Sequence, residues 1–137
     1  MGVEPFLVSS SVRAFIAQRL VRKLCGRCKQ PISPPEHEIA ALGFKIPPGA
    51  RLFAPNPDGC DDCRHTGFRG RTAIYEVCRI TPAIQELVTS RASVSELFGQ
   101  ARADGFTTMR EYGWRKVLAG DTTLEEVLSV TTDEQPR

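Results

Sequence analysis

The sequence predicts an α/β chain, and three observations predict it. Residues 72–80 alternate in the manner of a strand covered on both faces, residues 81–128 carry a succession of helix-start signals, and two Cys-x-x-Cys pairs bracket a proline-rich stretch that fits neither pattern. The 137 residues suffice for one compact domain, or a domain with an appendage. A hydrophobic share of 41% plus 11 glycines is that of a folded globular chain and excludes disorder throughout. The 18 basic and 16 acidic residues nearly cancel, so nothing in the overall charge calls for nucleic acid as partner. No apolar run reaches the length of a membrane span, and the start lacks a secretory leader, which leads us to expect a soluble, cytoplasmic protein.

Taken in order, Pro5, Phe6, Leu7 and Val8 form a short apolar run read as a buried strand, followed by Ser9, Ser10 and Ser11 with helix N-cap chemistry. Val12, Phe15, Ile16, Leu20 and Leu24 then follow helical spacing, which predicts a basic amphipathic helix. The side chains of the first thirty residues sum to +5, either a solvated face or a patch for an acidic partner or a phosphate. Pro34, Pro35 and Glu36 should open a short helical turn closed by Gly43, and Arg51, Leu52 and Phe53 a brief strand. In the strand Thr72 to Ile80, Glu76 lies on an apolar face and needs a partner, with Arg69, Arg71 or water as candidates.

The remainder reads as helical. Thr81-Pro82 is an N-cap followed by proline at the first helical position, and Ser93 with Glu96 makes a capping box. Thr108 with Glu111 makes a second box, Gly120 ends the helix bearing Trp114, Val117 and Leu118, and Thr122-Thr123 opens a last helix with Leu124, Val127 and Leu128 apolar. These apolar residues are expected to form a packed core. Residues 132–137 are expected to fray.

The cysteines carry the strongest chemical signal. Cys25, Cys28, Cys60 and Cys63 form two knuckles separated by 31 residues, and two knuckles of this spacing can place four thiolates tetrahedrally at about 2.3 Å from one ion. Four sulfurs leave no open position, so the expected role is a structural zinc. A redox dithiol and an iron–sulfur cluster are the alternatives on the same residues. Seven of the ten prolines fall between the knuckles, and that segment is poor in large apolar residues, so the metal rather than a core is expected to hold it. Cys78 is expected to be a small buried apolar residue, and His37 and His65 to lie on the surface. No phosphate-binding loop, dinucleotide fingerprint, nucleophile elbow or metalloprotease helix is present in the 137 residues. The residues by themselves leave open a free-standing zinc-ribbon module that binds nucleic acid or protein.

Five stretches in fixed order add a resemblance. They are Gly2-Val-Glu-Pro-Phe-Leu-Val with Ile16-Ala-Gln-Arg-Leu-Val-Arg-Lys-Leu-Cys25, the paired knuckles, the run from Gly59 to Glu76, the run from Asp104 to Gly120, and Thr122-Thr-Leu-Glu-Glu-Val-Leu128. Together they resemble the C-terminal portion of the type II secretion and type IV pilus assembly ATPases. The resemblance implies the end of a RecA-like P-loop ATPase domain with an inserted four-cysteine zinc lobe and a C-terminal helical subdomain. On that reading residues 1–24 are the end of the motor domain (strand and helix), 25–64 the zinc lobe, 65–80 the returning core strand and 81–131 the helical subdomain. It further implies a homo-hexamer at the cytoplasmic face of the bacterial inner membrane, working with platform and adaptor proteins and using ATP and magnesium. The family's phosphate-binding loop and acidic segments would precede Met1, so no catalytic residue is assigned and a truncated frame or fragment is expected. Phe6, Leu7, Ile74 and Tyr75 would then lie at an unpaired, exposed sheet edge.

Overall fold

The computed structural model describes residues 10–131. In chain order these form β1 (Ala14–Leu24), β2 (Gln30–Ile32), α1 (Glu36–Ala41), β3 (Leu52–Ala54), a 3-10 turn (Asp61–Cys63), β4 (Phe68–Arg79), α2 (Pro82–Thr89), α3 (Val94–Ala103), α4 (Met109–Leu118) and α5 (Leu124–Val130). The chain is therefore mixed α/β, as its patterns predict. β1 pairs with β4, and β2 with β3 in an antiparallel register that sets Gln30 opposite Ala54 and Ile32 opposite Leu52. Two compact units result: one takes Tyr75–Met109 with the residues up to Gln18, the other Arg19–Ile74 with the residues from Arg110 on.

The first long element corrects the sequence expectation. Where the spacing of Val12, Phe15, Ile16, Leu20 and Leu24 predicts a helix, the chain is the strand β1. The N–H of Ile80 donates to the Arg13 carbonyl at 2.9 Å and that of Cys25 to the Gly67 carbonyl at 3.0 Å, so β1 runs antiparallel to β4. Most of the apolar stripe that suggests a helix is not buried: Phe15, Ile16 and Leu20 are exposed, while Leu24 is buried together with Val21, which lies off the stripe. A ladder with a 12-residue partner strand that carries Thr72, Ile74, Tyr75 and Val77 overrides the weak local preference. The strand predicted at Pro5 to Val8, with Phe6 and Leu7, lies outside the described residues. Ile74 is wholly buried rather than exposed at an edge.

In the unit containing Tyr75–Met109 the caps predicted at Thr81 and at Ser93 with Glu96 are present. Thr81 accepts from the N–H of Ile84 with Pro82 in the first helical turn, and its own hydroxyl donates to Asp104 Oδ2 at 2.7 Å. Ser93 and Glu96 form the reciprocal capping box of α3, each side chain accepting from the other's N–H. Ile84 is buried, and Phe98 meets Phe106 edge to face at 5.9 Å. Glu76 meets a main-chain donor instead of the expected arginines. Its Oε2 accepts from the N–H of Met109 at 3.0 Å, a carboxylate set against the first turn of α4, where free N–H groups favour negative charge.

In the other unit the second edge of β1 is sealed by the segment leading into α5. The N–H of Leu24 donates to the Asp121 carbonyl at 2.8 Å, Thr122 Oγ1 donates to the Arg22 carbonyl at 2.7 Å, and the N–H of Arg22 donates to Glu126 Oε1 at 2.8 Å. The Arg22 guanidinium adds a bond to Glu126 Oε2 at 3.0 Å. The core is built from Val21, Leu24, Ile39, Leu52, Ile74, Trp114, Val117, Leu124 and Val127, consistent with the packed helical core predicted for the last two helices. A Cβ on Gly113 of α4 would stand 2.5 Å from Cγ1 of Val127, so the absent side chain is what lets α4 and α5 approach.

Gly113→Ala should therefore cost about 1–3 kcal/mol by overpacking. A double-mutant cycle with Val127→Ala, read by denaturant unfolding, should show the two changes partly cancelling; strict additivity would show that the contact does not limit packing. Burial would raise the Glu126 carboxyl, but the Arg22 side chain and N–H outweigh it and hold the group below the usual carboxylate range. Its contribution is thus present above the unfolded pKa of about 4.3 and lost as pH falls through the folded value. Glu126→Gln should cost about 1 kcal/mol at neutral pH, and the difference from the parent should shrink as pH falls below the unfolded carboxyl's range and vanish below the folded value.

Candidate metal centre

Each knuckle is made by a turn whose backbone is already committed. Cys25 follows directly on β1, and the chain reverses so that the N–H of Lys29 donates to the Cys25 carbonyl at 3.0 Å, leaving Cys28 on the same side as Cys25. Cys60 precedes the 3-10 turn. There the N–H groups of Cys63 and His65 both reach the Cys60 carbonyl, at 3.2 and 2.9 Å, while Arg64 and His65 take left-handed φ of 55° and 63° to bring the chain back toward β4.

Those turns gather the four predicted sulfurs. Cys25 Sγ lies 3.6 Å from Cys60 Sγ, Cys28 Sγ 3.8 Å from Cys63 Sγ, and Cys60 Sγ 3.8 Å from Cys63 Sγ. All four lie within 4.8 Å of one another. The sulfur–sulfur edge of a tetrahedron with metal–sulfur bonds of 2.3 Å is about 3.8 Å, so the donor set fits one tetrahedral, thiolate-loving ion. All four are free cysteines. Cys25 and Cys63 are buried, Cys28 and Cys60 half-buried.

Electrostatics separates the sulfurs. Burial, reinforced by the sulfurs of Cys60, Cys25 and Cys63, pushes the Cys28 thiol up to about 12. Burial also opposes ionisation at Cys63, but the N–H groups of Cys60 and Gly67, each 3.2 Å from Cys63 Sγ, outweigh it and bring that thiol down to about 6. At Cys25 burial is likewise outweighed, by the N–H groups of Arg27 and Cys28, and the thiol falls below its usual range. Protein dipoles alone thus stabilise part of the negative charge that four thiolates would carry. A dication would supply the rest and displace the remaining protons.

The other candidates fall where the sequence placed them or nearby. His37 is exposed. His65 is exposed too, its Nδ1 at 3.1 Å from the Asp58 carbonyl and its Nε2 at 3.3 Å from Asp61. Cys78 is half-buried rather than fully buried, and it stands apart from the cluster. Three features are not anticipated by the sequence reading. Asp62, in the 3-10 turn, has Arg27 at 3.3 Å and Arg69 at 3.9 Å. Gly59 and Gly67 have φ of +64° and +82°, and a Cβ would meet the His65 Cα at 2.2 Å or the Pro55 Cβ at 2.6 Å. The glycine four residues after Cys63 is the available signal for the last of these.

The segment between the knuckles is also packed, which amends the expectation that metal alone holds it. Ile39 and Leu52 are buried, Phe44 stacks on Trp114 at 5.1 Å with rings 3° from parallel, and Lys29 Nζ sits 4.6 Å over the Phe53 ring while donating to the Gly120 carbonyl at 2.9 Å. Such an aromatic pair is worth about 0.5–1.5 kcal/mol beyond its burial.

Gly67→Ala combines a left-handed φ with a clash against Pro55, and should cost on the order of 2 kcal/mol or more in unfolding free energy while weakening metal retention. Equal stability and equal metal content by unfolding and elemental analysis would refute the geometric reading.

Comparisons with known proteins bear on the family of this chain. The profile of the family described as Type II/IV secretion system protein matches residues 1–129. Type II secretion system protein E of Pseudomonas aeruginosa is 45% identical over 134 residues, covering 98% of this chain and 26% of that protein. The type IV pilus assembly ATPase PilB of Acinetobacter baylyi is 40% identical over 137 residues, covering 97% of this chain and 23% of the relative. The type II secretion system protein E of Aeromonas hydrophila is 44% identical over 134 residues, 98% of this chain and 26% of its own length. The chain thus spans about a quarter of the length of these relatives. With the family profile matched almost from end to end and the four cysteines gathered in one cluster, this chain belongs to the Type II/IV secretion system protein family.

Proposed function

We propose that the chain acts as the C-terminal portion of a hexameric ATPase that powers type II protein secretion or type IV pilus assembly. The observation that carries this reading is the end-to-end likeness to proteins named for those systems, each of which continues for some three-quarters of its length beyond the matched part. On this reading residues 1–24 end a RecA-like motor domain, 25–64 are a zinc lobe, 65–80 return to the core and 81–131 form a helical subdomain. ATP and magnesium are handled by the remainder of the motor, because these 137 residues hold no phosphate-binding loop. The exposed apolar side chains Phe15, Ile16, Leu20 and Val77 suit strands built into a larger sheet.

Zinc is the ion we assign to Cys25, Cys28, Cys60 and Cys63. It would be held by four thiolates with no open position, and would fasten the turns without activating water. The motor would work at the cytoplasmic face of the inner membrane, attached through platform and adaptor proteins. No helix among the described residues is long and apolar enough to cross a membrane.

Immunoblotting of source cells with an antibody against residues 84–110 should detect a product several times longer than 137 residues. The purified chain should carry one zinc and turn over no ATP. A native product of only this length that shifts duplex or single-stranded nucleic acid in a salt-dependent way would overturn the motor reading in favour of a free-standing zinc-ribbon module.

A further inference from the structure

The four sulfurs are chemically unequal, and the inequality follows a geometric divide. Cys25 follows a strand and Cys63 ends a 3-10 turn; both are buried, and Cys63 is turned toward backbone N–H groups. Cys63 Sγ takes N–H bonds from Cys60 and Gly67 at 3.2 Å each, and Cys25 is 1% exposed. Cys28 and Cys60 are half-exposed. Their sulfurs meet other sulfurs: Cys60 Sγ those of Cys25 and Cys63, and Cys28 Sγ that of Cys63.

An N–H bond to a coordinated thiolate spreads its charge and lowers its nucleophilicity, and burial denies a reagent its line of approach. Burial acts on Cys25 and Cys63 alike, and the N–H bonds add to it at Cys63. We propose that Cys28 and Cys60 form the solvent edge of the metal centre and are the site at which soft electrophiles react with the metal-loaded protein, with Cys25 and Cys63 protected until the metal has left. The inference rests on the four-sulfur site being loaded with metal. In the reaction with a maleimide, a sulfur lone pair forms the new S–C bond and the alkene π pair takes a proton from water. The thioether left behind is neutral and a poor ligand, so its metal–sulfur bond is lost and the ion is released to solvent.

The test treats the zinc-loaded chain with limiting N-ethylmaleimide, maps the adducts by peptide mass spectrometry and follows released zinc with a chromogenic chelator. Elemental analysis of the starting material comes first, and a chain without zinc would sink the metal assignment itself. Given a loaded chain, adducts on Cys28 and Cys60 should be about tenfold more abundant than on Cys25 and Cys63 at early times, rising together with zinc release. Pre-treatment with chelator should abolish that ratio. Cys78, outside the cluster, should react to the same extent in both states and serves as internal reference. Equal labelling of all four cysteines from the first time point would mean that the lobe opens as a whole before it reacts, and leading adducts on Cys25 or Cys63 would reverse the assignment; either result overturns the proposal. Cys28→Ser and Cys60→Ser, each still loaded, should leave the first adduct on the remaining edge cysteine.

Discussion

One peptide group ties the sheet to the metal centre. The carbonyl of Gly67 accepts from the N–H of Cys25, and its own N–H donates to the sulfur of Cys63. The first bond ends the ladder between β1 and β4; the second stabilises negative charge on the second knuckle. The knuckles are far apart in sequence, so their sulfurs meet only because antiparallel pairing returns the chain to the point where β1 ends. That pairing in turn requires the left-handed turn through Arg64, His65 and Gly67, which reverses the chain between the second knuckle and β4. Sheet register and ligand geometry are thus the same constraint.

The lobe between the knuckles follows from that anchor. A segment with so many prolines makes few ladder bonds of its own, and the β2–β3 pair is three residues long on each side. Ile39 and Leu52 supply a small interior, and the stack of Phe44 on Trp114 fastens the lobe to α4. Lys29 contributes in two ways at once, lying over Phe53 and binding the carbonyl where α4 ends. Packing and the sulfur cluster therefore act on different parts of the same segment: the cysteines gather its two ends, and the aromatic contacts hold its middle.

The features legible in the sequence are those decided by local chemistry. Thr81, Ser93 with Glu96, and Thr123 cap their helices as their spacing implies, because an N-cap is decided within four residues. The four cysteines are legible for the same reason, since each knuckle is a tight turn. β1 is not legible. Its apolar positions suit a helix as well as a strand, and the partner that decides between them lies more than forty residues away. Glu76 shows the same limit: arginines nearby in sequence are the natural candidates, whereas its observed bond is to the N–H of Met109, which the fold alone brings near.

The two ends of β1 meet different surroundings, and that difference explains how a short chain can present so much apolar strand without its ladder opening. From Arg22 to Leu24 the outer edge is satisfied by the Asp121 carbonyl, the Thr122 hydroxyl and the Glu126 carboxylate, so these backbone groups are not left to template another strand. Glu126 acts twice, as acceptor for a main-chain N–H and as ion partner of the same residue's guanidinium, and Thr123 positions it by capping the helix in which it sits. Further toward the start, Phe15, Ile16 and Leu20 are exposed. Apolar side chains on a strand are ordinary when another layer covers them and costly when water does. The sealed end fixes the register of β1 where it meets the cysteine cluster, so that geometry does not depend on what covers the exposed side chains nearer the start of the strand.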